Sequence, residues 1–193
     1  MLVEVKVDRV TLDTALNRFV VILRDEVNRR WLPIVVGSPE AQAIALQLED
    51  IDPPRPLTHD LIKNMLDSVD VRVTRIVVND LRENTYFAQI GLHLKTGNTE
   101  VDARPSDAIA LALRTNSPIF VDDKVMRSAG YFENEPKIDI SNLEEDFPPM
   151  DKLESLNLEL ERAVAQERYE DAAKLRDQIN ELKRERDKGE NKN

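Results

Sequence analysis

The chain contains no cysteine and only two histidines, His59 and His93, among 193 residues. The first absence removes disulfide bridges, thiol nucleophiles, iron–sulfur clusters and every cysteine-based zinc site. A metal ion would therefore have to be held by oxygen atoms or by one of the two imidazoles. Glycine is scarce, five residues against ten prolines, and no glycine-rich phosphate loop, His-Glu-x-x-His frame or Ser-His-Asp order is present. Long apolar runs are missing too. Phe19 to Leu23 and Trp31 to Gly37 fall far short of the ~20 residues that span a bilayer, so no membrane crossing is expected. The last absence is of basic charge: 27 lysines and arginines stand against 37 acidic residues, net −10. Residues 131–150, with one lysine and six acidic side chains, contribute −5 of that excess. Phosphate binding normally leaves a basic footprint, so the bulk charge gives no argument for a nucleic-acid partner and leaves room only for a local site.

What is present is an ordinary globular composition, 41% hydrophobic and 33% charged, on a length suited to one well-packed domain plus an appendage. Met1 to Val7 alternates at once and shows no basic segment followed by an apolar run and a cleavage site, so a cytoplasmic address is expected.

Segments 2–10, 19–24 and 31–36 are rich in β-branched and aromatic residues and read as three opening strands. Gly37-Ser38-Pro39-Glu40 combines a strand stop, a candidate N-cap and a proline at the first helical position, ahead of Ala41, Ile44, Ala45 and Leu48 at helical spacing. Pro53, Pro54 and Pro56 make residues 52–57 an extended connector. Thr58 reads as the cap of an amphipathic helix carrying Leu61, Ile62, Met65, Leu66 and Val69. Strands are expected over 71–80, 85–94 and 100–103, with a turn at Thr96-Gly97-Asn98, then a helix opened by Pro105-Ser106-Asp107 and a buried strand over 118–121. The fold class is α+β: a mixed, mainly antiparallel sheet with helices in one N-terminal domain, residues 1–132, followed by an α-helical hairpin. Residues 133–150 form an acidic, proline-containing linker. Leu153, Leu156, Leu160 and Val164, then Ala172, Leu175, Ile179 and Leu182, give the two stripes of a hairpin over 151–186, with a disordered tail at 187–193.

One group of ionisable residues sits where active sites tend to be, on element ends beside loops: Glu40, His59, Asp60, Arg104, Ser106 and Asp107. Each falls in or just before the first turn of an expected helix. Helix starts carry partial positive charge and unpaired N–H groups, so three of them converging would make an anion site without a basic surface. The plain alternative is that Ser38, Thr58, Ser106 and Asp107 do no more than cap and stabilise their helices, with Glu40 and Asp60 favourable on dipole grounds alone. His93, inside an alternating strand, reads as structural.

Three strings go further than spacing. PPRPLTHDLIKNML (residues 53–66), VDARPSDAIALALRTNSPIFV (101–121) and PIVVGSPEAQAIAL (33–46) closely resemble the bifunctional nuclease family over residues 1–132. ELERAVAQERYEDAAKLRDQINELK (159–183) resembles the UVR motif of excision-repair helicase and nuclease subunits. The first resemblance implies an α+β domain that cleaves both DNA and RNA, with nucleic acid as substrate; the second implies a protein-docking hairpin whose partner is another protein or a second copy, and a homo-oligomer is expected. Without cysteine, phosphodiester hydrolysis implies a divalent ion, Mg²⁺ or Mn²⁺, held by Asp60, Asp107 and Glu40. His59, Asp60 and Asp107 would be the catalytic residues, and Arg104 and Ser106 would bind substrate. The competing expectation is a non-enzymatic, oligomeric regulatory or ligand-binding module whose hairpin mediates protein–protein contact.

Overall fold

The computed structural model describes residues 1–13, 18–132 and 168–190, together with Leu156 and Leu160 as helical positions. The chain divides into two compact units, residues 1–148 and 149–193. In the first, β1 (Leu2–Asp13), β2 (Arg18–Asp25) and β3 (Arg30–Val36) precede α1 (Ser38–Leu48) and α2 (Thr58–Ser68). Then come β4 (Arg72–Arg82), β5 (Thr85–Leu94), β6 (Gly97–Ala103), α3 (Pro105–Thr115), β7 (Ile119–Asp122), α4 (Asp123–Ala129) and β8 (Tyr131–Phe132). The eight strands form one sheet in the order β6-β5-β4-β7-β1-β2-β3-β8. Only β4 and β7 run parallel; every other neighbouring pair is antiparallel. This is the mixed, mainly antiparallel α+β architecture the patterning implies.

Alternation decides which face of β1 is buried, whereas β2 buries every side chain from Phe19 to Leu23. Val3 and Val5 of β1 are buried while Leu2, Glu4 and Lys6 face solvent. Val21, Leu23, Leu32, Ile34, Ile76, Val78 and Val121 are buried in the core with Ile44 and Ile109. The sheet curls strongly. Tyr86 on β5 donates its hydroxyl hydrogen to the Pro33 carbonyl on β3 at 3.1 Å, although four strands lie between them in the sheet order. A flat sheet would hold those strands more than about 20 Å apart at ~4.8 Å per step. The curled sheet encloses α3, which buries Pro105, Ser106, Ala108 to Ala112 and Arg114. A helix buried nearly all round is the expected partner for a wrapped sheet, and its run of alanines lets strands and helices approach closely.

Two starts differ in detail from the sequence expectation. Neither Ser38 nor Thr58 acts as N-cap: the caps are Gly37 and Leu57, without a side-chain capping bond, and the helices begin at Ser38 and Thr58 themselves. At α2 the capping falls instead to Asp60, whose Oδ2 accepts the Leu57 N–H at 2.8 Å. The β5–β6 turn is also one step earlier than Thr96-Gly97-Asn98, because Leu94 already pairs with Gly97, whose φ of +130° suits glycine. Helix α4, unforeseen in the sequence, is seven residues long and capped by Asp122, which accepts the Lys124 N–H at 2.9 Å.

The β2–β3 turn is fixed by Asp25, fully buried, whose carboxylate accepts the Val27 and Asn28 N–H groups and two nitrogens of Arg30. Arg30 Nη1 continues to Asp123 on α4 at 3.2 Å, tying the turn to the helix. In the second unit α5 (Tyr169–Glu190) is a single helix that ends four residues past the expected end at 186, with Ala172 and Ile179 buried and Leu175 and Leu182 half-buried. The expected linker, the expected first helix of the hairpin apart from Leu156 and Leu160, and residues 191–193 lie outside the described residues.

Candidate active site at three helix starts

The first turns of α1, α2 and α3 meet. Pro39 and Pro105 sit in the first turns of α1 and α3, where a missing N–H costs nothing and the fixed φ favours the helix, and so Glu40 and Asp107 project from them. Arg104, the N-cap residue of α3, donates from Nε to Asp107 Oδ2 at 2.7 Å and from Nη2 to Glu40 Oε1 at 2.8 Å. Asp107 Oδ1 lies 3.1 Å from Nε2 of His59 in the first turn of α2. One continuous chain, His59–Asp107–Arg104–Glu40, thus joins three helices. The guanidinium is half-exposed whereas the imidazole is almost fully enclosed, side-chain exposures of 52% and 9%.

The electrostatics follow from these contacts. The hydrogen bond with His59, reinforced by Arg104 against an opposing effect of burial, holds the Asp107 carboxyl below its ordinary 3.8. Asp107 in turn, with Glu40, raises the Arg104 guanidinium above its usual range. In the tautomer that carries its hydrogen on Nε2, His59 would donate to the Asp107 carboxylate and leave Nδ1 as the acceptor nitrogen.

Asp60, next in sequence to His59, is committed elsewhere. Its Oδ2 holds the Leu57 N–H, and Oδ1 accepts Nε of Arg114, a residue that the sequence reading did not select. The Arg114 side chain is only 3% exposed and also donates from Nη1 to the carbonyls of Ala43 on α1 and Ala110 on α3, at 3.0 and 2.9 Å. Burial works to raise the Asp60 carboxyl, but the bonds from Arg114 and Leu57 outweigh it and leave the group below its ordinary 3.8. Asp60 and Arg114 border a groove of about 360 Å³ with Ile51, Pro53, Pro56 and Asn64. Ser106 is 2% exposed and lies inside the domain, not on the open side of the cluster. His93 is on β5, exposed, with Nδ1 2.7 Å from Asn98 Oδ1.

Of the residues expected to act together, the fold therefore unites Glu40, His59, Arg104 and Asp107 and sets Asp60 and Ser106 apart. Among the described residues no three Asp, Glu or His side chains group as a metal-binding set. Glu40 and Asp107 are nevertheless drawn together by a shared arginine. Two hard oxygen donors suit Mg²⁺, which commonly takes one or two protein carboxylates and completes its shell with water and substrate phosphate.

The sequence pattern of the bifunctional nuclease domain matches residues 21–134, which is more than half of the chain. The chain belongs to the bifunctional nuclease domain family. Every residue of the cluster falls within the matched span. A UvrB/uvrC motif follows at residues 151–185. An uncharacterized protein of Mycobacterium tuberculosis (strain ATCC 25618 / H37Rv) is 39% identical over 127 residues, 66% of this chain and 76% of the relative. Proteins named bifunctional nuclease 1 are more distant: the one from Oryza sativa subsp. japonica is 27% identical over 184 residues, and that from Arabidopsis thaliana 28% over 192. These alignments cover 86% and 90% of this chain but only 55% and 59% of the plant proteins, so the chain spans little more than half the length of those bifunctional nucleases. Among the described residues no helix is long and apolar enough to cross a membrane.

Proposed function

We propose that the domain is a nuclease that hydrolyses phosphodiester bonds of DNA and RNA at the His59–Asp107–Arg104–Glu40 cluster. The observation that carries this reading is the unbroken contact chain across three helix starts, inside a domain of the bifunctional nuclease family. Converging helix starts favour an anion, and a half-exposed guanidinium held by two carboxylates sets a fixed positive charge beside them for a phosphate. His59, turned by Asp107, takes a proton at Nδ1 from water as the water oxygen bonds to phosphorus; the ester P–O bond breaks and the leaving oxygen gains its proton from solvent. A divalent ion, Mg²⁺ or Mn²⁺, belongs to the proposal: Glu40 and Asp107 would hold it, and it would supply a more acidic water and neutralise phosphate charge. Asp60 supports the site from behind through Arg114. The tail, carrying the UvrB/uvrC motif, is proposed to dock a protein partner.

The test is cleavage of single-stranded DNA and RNA oligonucleotides by the purified full chain with Mg²⁺ or Mn²⁺, and with chelator. Cleavage abolished by chelator and by Arg104→Ala supports the reading. No cleavage of either polymer with either ion refutes it and favours a binding module.

A further inference from the structure

We propose that the groove beside Arg114 is a nucleobase site, in which a base lies between the proline-containing connector and α2 and its carbonyl oxygen accepts from Arg114 Nη2. The site rests on the nuclease reading for the strand that carries the base, and adds to it a contact away from the scissile phosphate.

Local structure builds the groove. Helix α1 ends in a tight reversal, in which the Ile51 N–H donates to the Leu46 carbonyl at 2.9 Å and Asp50 takes a φ of +54°. The chain then passes through Pro53, Pro54 and Pro56, which cannot continue a helix, before α2 begins at Thr58. Ile51, Pro53 and Pro56 of this connector line the groove of about 360 Å³ together with Asn64 of α2 and Arg114 of α3. Prolines fix their own φ in advance, so little chain freedom is lost when a ligand enters.

The buried arginine sets what the groove asks for. Arg114 is 3% exposed, and its bonds to Asp60, Ala43 and Ala110 leave from Nε and Nη1. None of them uses Nη2, and a donor on so enclosed a side chain needs an acceptor from the groove it borders. The charged residues of the lining, Asp52, Asp60, Lys63 and Arg114, sum to zero, and Lys63 is held by Asp67 at 2.7 Å. A second phosphate therefore gains no net attraction there. A neutral, flat ligand with apolar faces and a polar edge does fit carbon walls and an amide, and in a nucleic acid that part is the base. Guanine, cytosine, uracil and thymine carry a carbonyl oxygen for the arginine, whereas adenine carries none. Position joins the groove to the cluster: of two consecutive residues in the first turn of α2, His59 meets Asp107 and Asp60 borders the groove.

The test is a ligand-detected NMR titration of the full chain, without divalent ion, using uridine 5′-monophosphate, adenosine 5′-monophosphate and ribose 5-phosphate. The uridine nucleotide should bind at least about tenfold more tightly than either of the others. Asn64→Trp, at an exposed position on the groove, should fill it: the melting curve and the affinity for ribose 5-phosphate stay, and the preference for uridine is lost. Equal affinity for the three ligands overturns the proposal, as does an Asn64→Trp chain that keeps the preference. Binding here needs neither metal nor cleavage. A chain that shows the preference yet cuts no strand refutes the reaction alone, and one that cuts but shows no preference refutes the groove alone.

Discussion

Replacing Arg114 by methionine should unfasten the back of the site while leaving its front residues untouched. The arginine is 3% exposed and holds three elements at once: Asp60 on α2, the Ala43 carbonyl on α1 and the Ala110 carbonyl on α3. Methionine keeps the length and the apolar stem but supplies no donor. Removing one partner of a buried ion pair costs about 3–5 kcal/mol, because the other charge is left without compensation. Asp60 retains 22% side-chain exposure and its bond from the Leu57 N–H, which moves the expected loss toward the lower end, about 3 kcal/mol. For a chain of this size that corresponds to a melting point lower by roughly 6–12 °C. Urea unfolding followed by circular dichroism and by the fluorescence of the single tryptophan, Trp31, reads the loss directly, with an unchanged denaturant slope if both states stay compact. Asp60→Asn should cost less, since the amide oxygen can still accept one of the two bonds. A loss below about 1 kcal/mol for Arg114→Met would mean that the buried guanidinium does not fasten α1, α2 and α3 together, and the reasoning would fail.

Gly130→Ala should destabilise by roughly 1–3 kcal/mol, because an added Cβ would lie 2.4 Å from the Met126 carbonyl oxygen and 2.7 Å from its sulfur; an unaltered urea midpoint would contradict this. Asp25, Asp60 and Asp107 all have carboxyls held below their unfolded value of 3.8, so the native state binds fewer protons than the unfolded one in acid. Stability should be level above about pH 4 and fall as pH drops through the lowered native values, which urea melts at successive acid pH values will show. If the cluster binds phosphate, Arg104→Lys should lower kcat/KM about tenfold or more, about 1.4 kcal/mol, chiefly through KM, because an ammonium cannot bridge Glu40 and Asp107 as the guanidinium fork does.

Much of this was legible in the residues, and the failures have physical reasons. Pro39 and Pro105 marked the starts of α1 and α3 because a fixed φ without an N–H is tolerated only there. Strand alternation gave the buried faces of β1, yet it could not give the sheet order: a parallel β4–β7 pair depends on the path of the chain between strands. Periodicity located the apolar stripe of α2 but not its direction, since a stripe facing solvent and one facing the core are spaced alike. Asp60, expected at the site for its place in the first turn of a helix, bonds the Leu57 N–H and Arg114. Arg114, in the last turn of α3, is not among the residues selected from the sequence. Its signal was position: it lies seven residues after Asp107 and four after the buried Ala110, on one face of the helix. A charge on such a face needs a buried partner.

The most direct test of the central claim compares wild type with Asp107→Ala, prepared identically to nuclease-free standards, on the same DNA and RNA strands with Mg²⁺ or Mn²⁺. Asp107 touches both His59 and Arg104, so its loss removes the orienting bond of the imidazole and one anchor of the guanidinium together. The variant should stay folded by circular dichroism and cleave at least about tenfold more slowly, equivalent to ~1.4 kcal/mol of barrier. Equal rates from a folded variant and the wild type would show that any cleavage observed does not arise at the three helix starts, and would contradict the assignment of the site.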